Sequence, residues 1–284
     1  MTYQPPVPGP TAPPVCPRHP DRVSYVRCQR CGRPVCPECQ RPAPVGIQCV
    51  DCVAEAARGQ RAPRTALGAP AVQGRPVVTI TIIALCVVSF VLQRVPELDW
   101  TQRLAFSPAA GEVEPYRFLT AAFLHSPSSF FHILFNMIAL WTVGPYLETM
   151  LGRWRFVALY LLSAIGGSVG VLLLADPSSI DWIRGTLGAS GAVFGLFGAV
   201  LVVLRRMGRN AQSIVVVIVL NGVIGFVVPN IAWQAHLGGL VVGAALGAAF
   251  AYAPRERRTS TAFAAVAVLA VLLVAATMVK YSGV

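Results

Sequence analysis

The chain has 284 residues, 55% of them hydrophobic and 12% charged, and its mean hydropathy is +0.62. Soluble domains carry about a quarter charged residues, so an ordinary soluble enzyme is excluded and a multi-span membrane protein is indicated. The net charge of +11 would point to nucleic acid in a soluble chain, but every basic residue except Lys280 is Arg, a bias that reflects a GC-rich genome more than chemistry.

Six prolines between Pro5 and Pro14 predict an extended, disordered tail over residues 1–15. This stretch has no basic region leading into an apolar core, and the first long apolar run begins at Val77. That run is therefore expected to act as an uncleaved span.

Seven of the eight cysteines fall between Cys16 and Cys52 in ligand pairs: Cys16 with His19, Cys28 with Cys31, Cys36 with Cys39, Cys49 with Cys52. Each pair is separated by two residues, a gap that lets a tight turn bring both donors onto one ion. The eight donors fill two tetrahedral zinc sites, so residues 16–52 are expected to be a small zinc-binding domain holding two structural ions. A segment this short cannot bury enough apolar surface to fold alone, and metal would supply the folding free energy. An odd number of thiols argues against a disulfide framework. Cross-braced pairing is expected, Cys16 and His19 with Cys36 and Cys39, and Cys28 and Cys31 with Cys49 and Cys52, although the spacing itself leaves the pairing open. The segment resembles a B-box finger. Its arginines are scattered rather than set in a basic-aromatic stripe, so a cytoplasmic protein partner is expected and nucleic acid is not. Cys86, inside an apolar run, reads as a packing residue.

Residues 53–76, with Arg58, Arg61, Arg64 and Arg75, read as a flexible basic linker whose arginines can rest on anionic headgroups. Seven apolar stretches follow, near 77–93, 129–147, 156–175, 188–204, 212–228, 232–252 and 261–279. Each approaches the ~20 residues that cross a bilayer as a helix. Alternate connections carry Arg153 and Arg155, then Arg205, Arg206 and Arg209, then Arg255, Arg257 and Arg258, while the opposite connections are poorer in positive charge. The positive-inside rule then places the N-terminus in the cytoplasm and the C-terminus outside.

In that topology His132 and Asn136, Ser190, and His236 all lie in the outer turns of their spans, at similar depth. Polar side chains inside spans are functional candidates by default. Small residues three or four positions apart, Gly191, Gly195 and Gly198 in one span and Gly239, Gly243 and Gly247 in another, allow close helix approach. Such an approach is what a serine hydroxyl needs to reach an imidazole. Each feature alone has a bland reading: packing for Gly-x-Ser-Gly, a proton relay for a lone His, a structural pair for His132 with Asn136. Three of them converging on three spans favours catalysis.

With Gly188-Ala189-Ser190-Gly191, Ala235-His236-Leu237-Gly238-Gly239 and His132-Ile133-Leu134-Phe135-Asn136, preceded by Arg117-Phe118-Leu119-Thr120 and His125, the chain resembles the rhomboid family over about residues 77–255. The resemblance implies an all-α polytopic membrane protein with a rhomboid-like six-helix core at 77–255, the seventh C-terminal helix falling in 256–284. It implies an intramembrane serine endopeptidase of the cell membrane that cuts transmembrane protein substrates near the outer face and needs no catalytic cofactor. Ser190 would be the nucleophile and His236 the base, while His132, Asn136 and the Gly188 backbone would stabilise the oxyanion. His125 is expected near the cavity mouth, with a structural hydrogen bond as the equal alternative. Phe194 stands where the family often has Tyr, its ring against the histidine, and Tyr116 where many members have Trp. The short fifth span with the Pro229-Asn230 turn is a candidate gate. Two other readings stand beside this one: a catalytically inactive rhomboid-like protein that binds membrane clients, with the finger as adaptor, and a transporter, which the lack of a continuous polar path or internal repeat disfavours.

Overall fold

A computed structural model describes residues 12–59, 64–70, 74–228 and 231–283. Most of the expected Pro-rich tail and the Pro229-Asn230 turn lie outside the described residues. The chain divides into two compact units, Met1–Ala62 and Pro63–Val284.

The first unit has two small antiparallel ribbons and one helix. Strand β1 (Val15–Cys16) pairs with β2 (His19–Val23), and β3 (Gln40–Pro42) pairs with β4 (Ile47–Cys49), which leads into α1 (Val50–Gly59). Its buried cluster consists of Cys16, Cys28, Cys36, Cys39, Cys49 and Cys52 with Val35. Thiols stand where a larger domain would place aliphatic side chains, so the core of this unit is its ligand set. Helix α1 runs into the segment expected to be a flexible linker. Asp51 in its first turn and Arg58 in its last each complement the helix dipole, and no proline interrupts it.

The second unit is helical, and each of the seven apolar stretches forms a helix. These are α2 (Val77–Leu92), then α6 (Phe130–Leu151), α7 (Arg153–Leu174), α8 (Ser190–Arg206), α9 (Gln212–Val227), α10 (Trp233–Tyr252) and α11 (Arg258–Ser282). Between α2 and α6 lie three short helices, α3 (Trp100–Leu104), α4 (Pro108–Val113) and α5 (Arg117–Thr120). Among the described residues α6, α7, α10 and α11 are long and apolar enough to cross a bilayer, and α2 qualifies when joined to Pro96–Leu104 across a 103° bend. Helices α2 and α9 have 16 residues and α8 has 17. At 1.5 Å per residue these reach only about 24–26 Å, short of the ~30 Å hydrocarbon core, and their lengths match the apolar runs at 77–93, 188–204 and 212–228 to within one residue.

Helix α8 is central, and every residue from Gly191 to Val200 is buried. It packs most extensively on α10, which also lines α7, while α11 lies against α7 and α10. A Cβ on Gly239 would overlap the Gly191 carbonyl, and one on Gly243 would overlap that of Gly195. The α8–α10 crossing is therefore a backbone-on-backbone contact that only glycine permits. Helix α9 is peripheral, with only Ile214 and Gly225 buried.

The segment from α2 to α6 is a folded element rather than a bare connection. The buried Arg117 donates from Nη1 to the Gln102 and Ala105 carbonyls at 2.6 and 2.8 Å and from Nε to Glu114 at 2.6 Å. Phe106 and Phe118 meet at 4.5 Å and form a small core with Val169 and Leu172 of α7. Part of the expected linker is also docked. A tight turn over Arg64–Pro70 buries Leu67 and Ala69, and Thr65 Oγ1 donates to the Met150 carbonyl at 2.9 Å.

One buried carboxylate fastens α2 to α6. Glu148 accepts from the backbone N–H of Val78 at 3.0 Å and of Thr79 at 2.9 Å, and from Thr79 Oγ1 at 2.9 Å. It supplies from a neighbouring helix the cap that Pro76 does not give, and places negative charge at a helix N-terminus. Glu148→Ala leaves these donors buried without a partner, and should destabilise the protein by on the order of 2–3 kcal/mol. The unfolding midpoint in SDS–detergent mixtures measures this; an unchanged midpoint would show that Glu148 does not hold α2.

Candidate active site and metal clusters

In the first unit the donors gather into two groups. Cys16, His19, Cys36 and Cys39 form one, and Cys28, Cys31, Cys49 and Cys52 the other, with the donor atoms of each group within 4.8 Å of one another. The β1–β2 ribbon sets Cys16 opposite His19, and a tight 3-10 turn over Pro37–Cys39 brings Cys39 back beside Cys36. In the second group Cys28 and Cys31 sit on a knuckle closed by Gly32, whose φ of +72° suits glycine, while Cys49 ends β4 and Cys52 lies in the first turn of α1. The pairs interleave along the chain, in the cross-braced order expected and left open by the spacing.

The distances suit a tetrahedral ion. Two thiolates bonded at about 2.3 Å are held about 3.8 Å apart, and Cys31 Sγ and Cys49 Sγ are separated by 3.8 Å. His19 presents Nδ1 to Cys36 and Cys39 at 3.3 and 3.4 Å. Its Nε2 lies 3.8 Å from Glu38, which Arg22 pairs at 2.6 Å and holds below the usual carboxylate range. A carboxylate behind the imidazole fixes which nitrogen faces the ion. Nothing in the Cys/His spacing marked Glu38 for that place. The Cys36 backbone N–H holds the Cys16 thiol down at about 6, while burial pushes Cys39 of the same group up to about 11, so an ion would have to displace the Cys39 proton.

In the second unit Ser190 is the first residue of α8, half-buried, and Ala189 and Gly188 form its approach. Gly188 N–H donates to the Ala121 carbonyl at 2.9 Å, and Thr186 bridges to Phe106, so the α3–α5 segment positions the strand entering α8. Gly188 has φ +135°, and a Cβ there would sit 3.0 Å from His132 Nε2 and 3.6 Å from Ser190 Oγ. His132 and Ser190 therefore face one small space that the missing side chain of Gly188 leaves open. His132 Nδ1 accepts from the Ser126 N–H at 3.1 Å, which leaves the neutral ring's proton on Nε2, toward that space. Asn136, buried one turn further on, donates one amide N–H to the His132 carbonyl at 2.8 Å.

His236 lies in the first turn of α10. Its ring stacks flat on Phe194, with centroids 4.2 Å apart and planes 8° from parallel. Phe194 is one turn beyond Ser190 on α8, so the imidazole lies alongside the turn that carries the hydroxyl. No hydrogen bond joins Ser190 to His236 among the described residues; catalytic hydrogen bonds in free enzymes are commonly long and tighten with substrate. His236 Nδ1 is buried without a partner, and Gly225 of α9 closes over it, a Cβ there lying 3.4 Å away. His125 is fully buried with neither ring nitrogen bonded, edge-on to His132 at 5.3 Å, while Gln93 holds its backbone N–H and carbonyl. Expected near the cavity mouth or in a structural hydrogen bond, the ring is enclosed and unbonded among the described residues. Gly225 and Ser126 acquire their places only through the fold.

The family model of the Rhomboid domain matches residues 112–253, half of the chain, and this range contains Ser190, His236, His132 and Asn136. The chain belongs to the rhomboid family. The matched domain is narrower than the motif resemblance, since it leaves out α2, and the cysteine-rich unit and α11 also lie beyond it. Among curated proteins, this rhomboid is 35% identical over 192 residues to the rhomboid protease GluP of Bacillus subtilis (strain 168), covering 61% of this chain and 36% of the relative. It is 36% identical over 143 residues to RHOMBOID-like protein 5 of Arabidopsis thaliana, covering 48% and 44%. It is 32% identical over 149 residues to rhomboid-type serine protease 2 of Emericella nidulans, covering 50% and 28%. The chain spans less than half the length of each of these relatives.

Proposed function

We propose that this rhomboid is an intramembrane serine endopeptidase that cuts transmembrane segments of other proteins. The observation that carries the reading is the packing of the His236 ring on Phe194, one turn from Ser190, inside the matched domain. Two of the relatives named above are described as proteases, one of them as serine-type.

In the proposed reaction Ser190 Oγ attacks the scissile carbonyl while His236 takes its proton, then returns it to the leaving amine. Water hydrolyses the acyl-enzyme by the same relay in reverse. No carboxylate is bonded to His236 Nδ1 among the described residues, so the stack on Phe194 orients the ring and the pair acts as a dyad. The oxyanion would form beside Gly188, where His132 Nε2–H and the backbone N–H groups at the start of α8 can donate, helped by the helix dipole. Asn136 steadies that helix turn through the His132 carbonyl, and its second amide N–H remains to donate. A substrate helix must unwind to present its carbonyl, which favours segments with Gly or Pro near the outer face.

The arginines that end α8 and begin α7 and α11 support a cytoplasmic placement of those ends and of the cysteine-rich unit. In that reducing compartment the two Cys/His groups would hold zinc, each with four protein donors and no open position. Such closed sites are structural, and the ion would supply folding free energy rather than chemistry. A cytoplasmic protein is the expected partner of this unit.

Two experiments test the reading. Purified protein in detergent, given a model substrate with a Gly/Pro-weakened transmembrane segment, should cleave it, and Ser190→Ala and His236→Ala should each reduce cleavage by about 10³-fold or more. Substrate that still co-purifies with an inactive parent would instead favour the client-binding reading. For the metal, elemental analysis should find two zinc ions per chain, falling to one in His19→Ala and in Cys49→Ser and to none in the double variant. Retention of both ions in the double variant would reject these donors.

A further inference from the structure

Three arginines that the proposed chemistry does not use meet on the turn that precedes α2. Arg155, in the first turn of α7, is 4% exposed, and its Nη1 donates to the Leu67 carbonyl at 3.1 Å. Arg64 donates from Nη1 to the adjoining Gly68 carbonyl at 3.2 Å. Arg258, the first residue of α11, lies against the same glycine, where a Cβ would sit 2.7 Å from its Nη1. Three guanidinium groups thus converge on one two-residue stretch.

No carboxylate balances them. Among the described residues none of the three forms an ion pair, and the nearby Glu148 is committed to the start of α2 and to Arg153. Glu256, two residues before Arg258, pairs with none of them. The two helices involved deepen the imbalance. Neither α7 nor α11 has an acidic residue in its first turn, so the positive ends of two dipoles add to three fixed charges. Arg155 Nε is buried with nothing to accept its proton. Like charges gathered this closely without a counter-ion repel one another, and a buried donor left unbonded is costly. A tetrahedral oxyanion removes both penalties, because guanidinium groups and helix N-termini both bind it well.

We propose that Arg64, Arg155 and Arg258, gathered on Leu67–Gly68, form a binding site for a phosphate-class anion, supplied by an anionic phospholipid headgroup or by free phosphate. The turn lies at the ends of membrane-spanning helices, the depth at which headgroup phosphates lie. An anion there ties the turn before α2 to the start of α7 and the start of α11, two helices that the stack of Trp154 on Phe263 also joins. The site requires that the chain span a bilayer, and it is independent of the proteolytic reading.

The test uses the full-length protein in neutral detergent, titrated with phosphatidylglycerol, with phosphatidylcholine or with inorganic phosphate, followed by unfolding midpoint and by native mass spectrometry. Phosphatidylglycerol should bind saturably and raise the midpoint, with phosphatidylcholine weaker. An equal response to inorganic phosphate identifies the free anion as the source, and its absence identifies the lipid. In either case Arg64→Gln/Arg258→Gln should weaken binding by roughly tenfold or more, whereas Arg205→Gln/Arg206→Gln, at the end of α8, should not. If the double variant does not fold, Arg258→Gln alone serves. Binding of neither phosphatidylglycerol nor phosphate, binding unchanged in the Arg64/Arg258 variant, or equal loss in the Arg205/Arg206 variant would overturn the proposal.

Discussion

The structure depends on the backbone contact between α8 and α10. In a bilayer the hydrophobic effect does not draw one helix to another, so close packing and polar contacts must hold them. Gly191 and Gly195 on α8 meet Gly239 and Gly243 on α10 so closely that a single methyl on the second pair would strike the carbonyl of the first. That approach sets the Phe194 ring flat on His236 and brings Ser190 and His236 onto adjoining turns. It also makes α8 the buried centre around which α7 and α6 pack, with α9 left at the edge. Fold and candidate chemistry therefore share one constraint, and a larger residue at the crossing would separate the helices and, with them, Ser190 from His236.

Around that crossing, side chains bound to backbone fix the geometry. Gly188 leaves the space between His132 and Ser190 open, and the Ser126 N–H sets the His132 tautomer. Arg117 gathers the carbonyls of the α3–α5 segment, which in turn grips the approach to Ser190 through Ala121 and Phe106. At the other ends of the helices Glu148 caps α2, while Arg64, Arg155 and Arg258 converge without a carboxylate. One end of the helix array thus carries the polar groups suited to catalysis, and the other a concentration of positive charge suited to headgroups.

Much of this was legible in the amino-acid sequence because the chemistry is expensive there. Thiols separated by two residues have few other uses, so the ligand pairs were legible, while which pairs share an ion came from the fold. Ser190, His236, His132 and Asn136 stood out because polar side chains are scarce in apolar runs. What escaped the sequence depends on contacts between distant residues. The α3–α5 segment looked like a charged connection because its order comes from Arg117 bonding carbonyls 12 and 15 residues away. The Arg64–Pro70 turn looked like linker because its partners, Met150 and Arg155, are more than 80 residues distant. The enclosure of His125 and the cover of Gly225 over His236 likewise have no local signature. The apolar runs that form α2, α8 and α9 were legible in length almost to the residue, because continuous hydropathy marks a helix whether or not it is long enough to cross a bilayer alone.

The central claim is that Ser190 is a nucleophile activated by His236. Reaction of the purified, folded protein with a fluorophosphonate, followed by peptide mass spectrometry, tests it without any assumption about substrate. The account predicts a single adduct on Ser190, formed in the parent and lost in His236→Ala, whose unfolding midpoint stays near that of the parent. Labelling that is absent in the folded parent, or that proceeds equally well without His236, would contradict it.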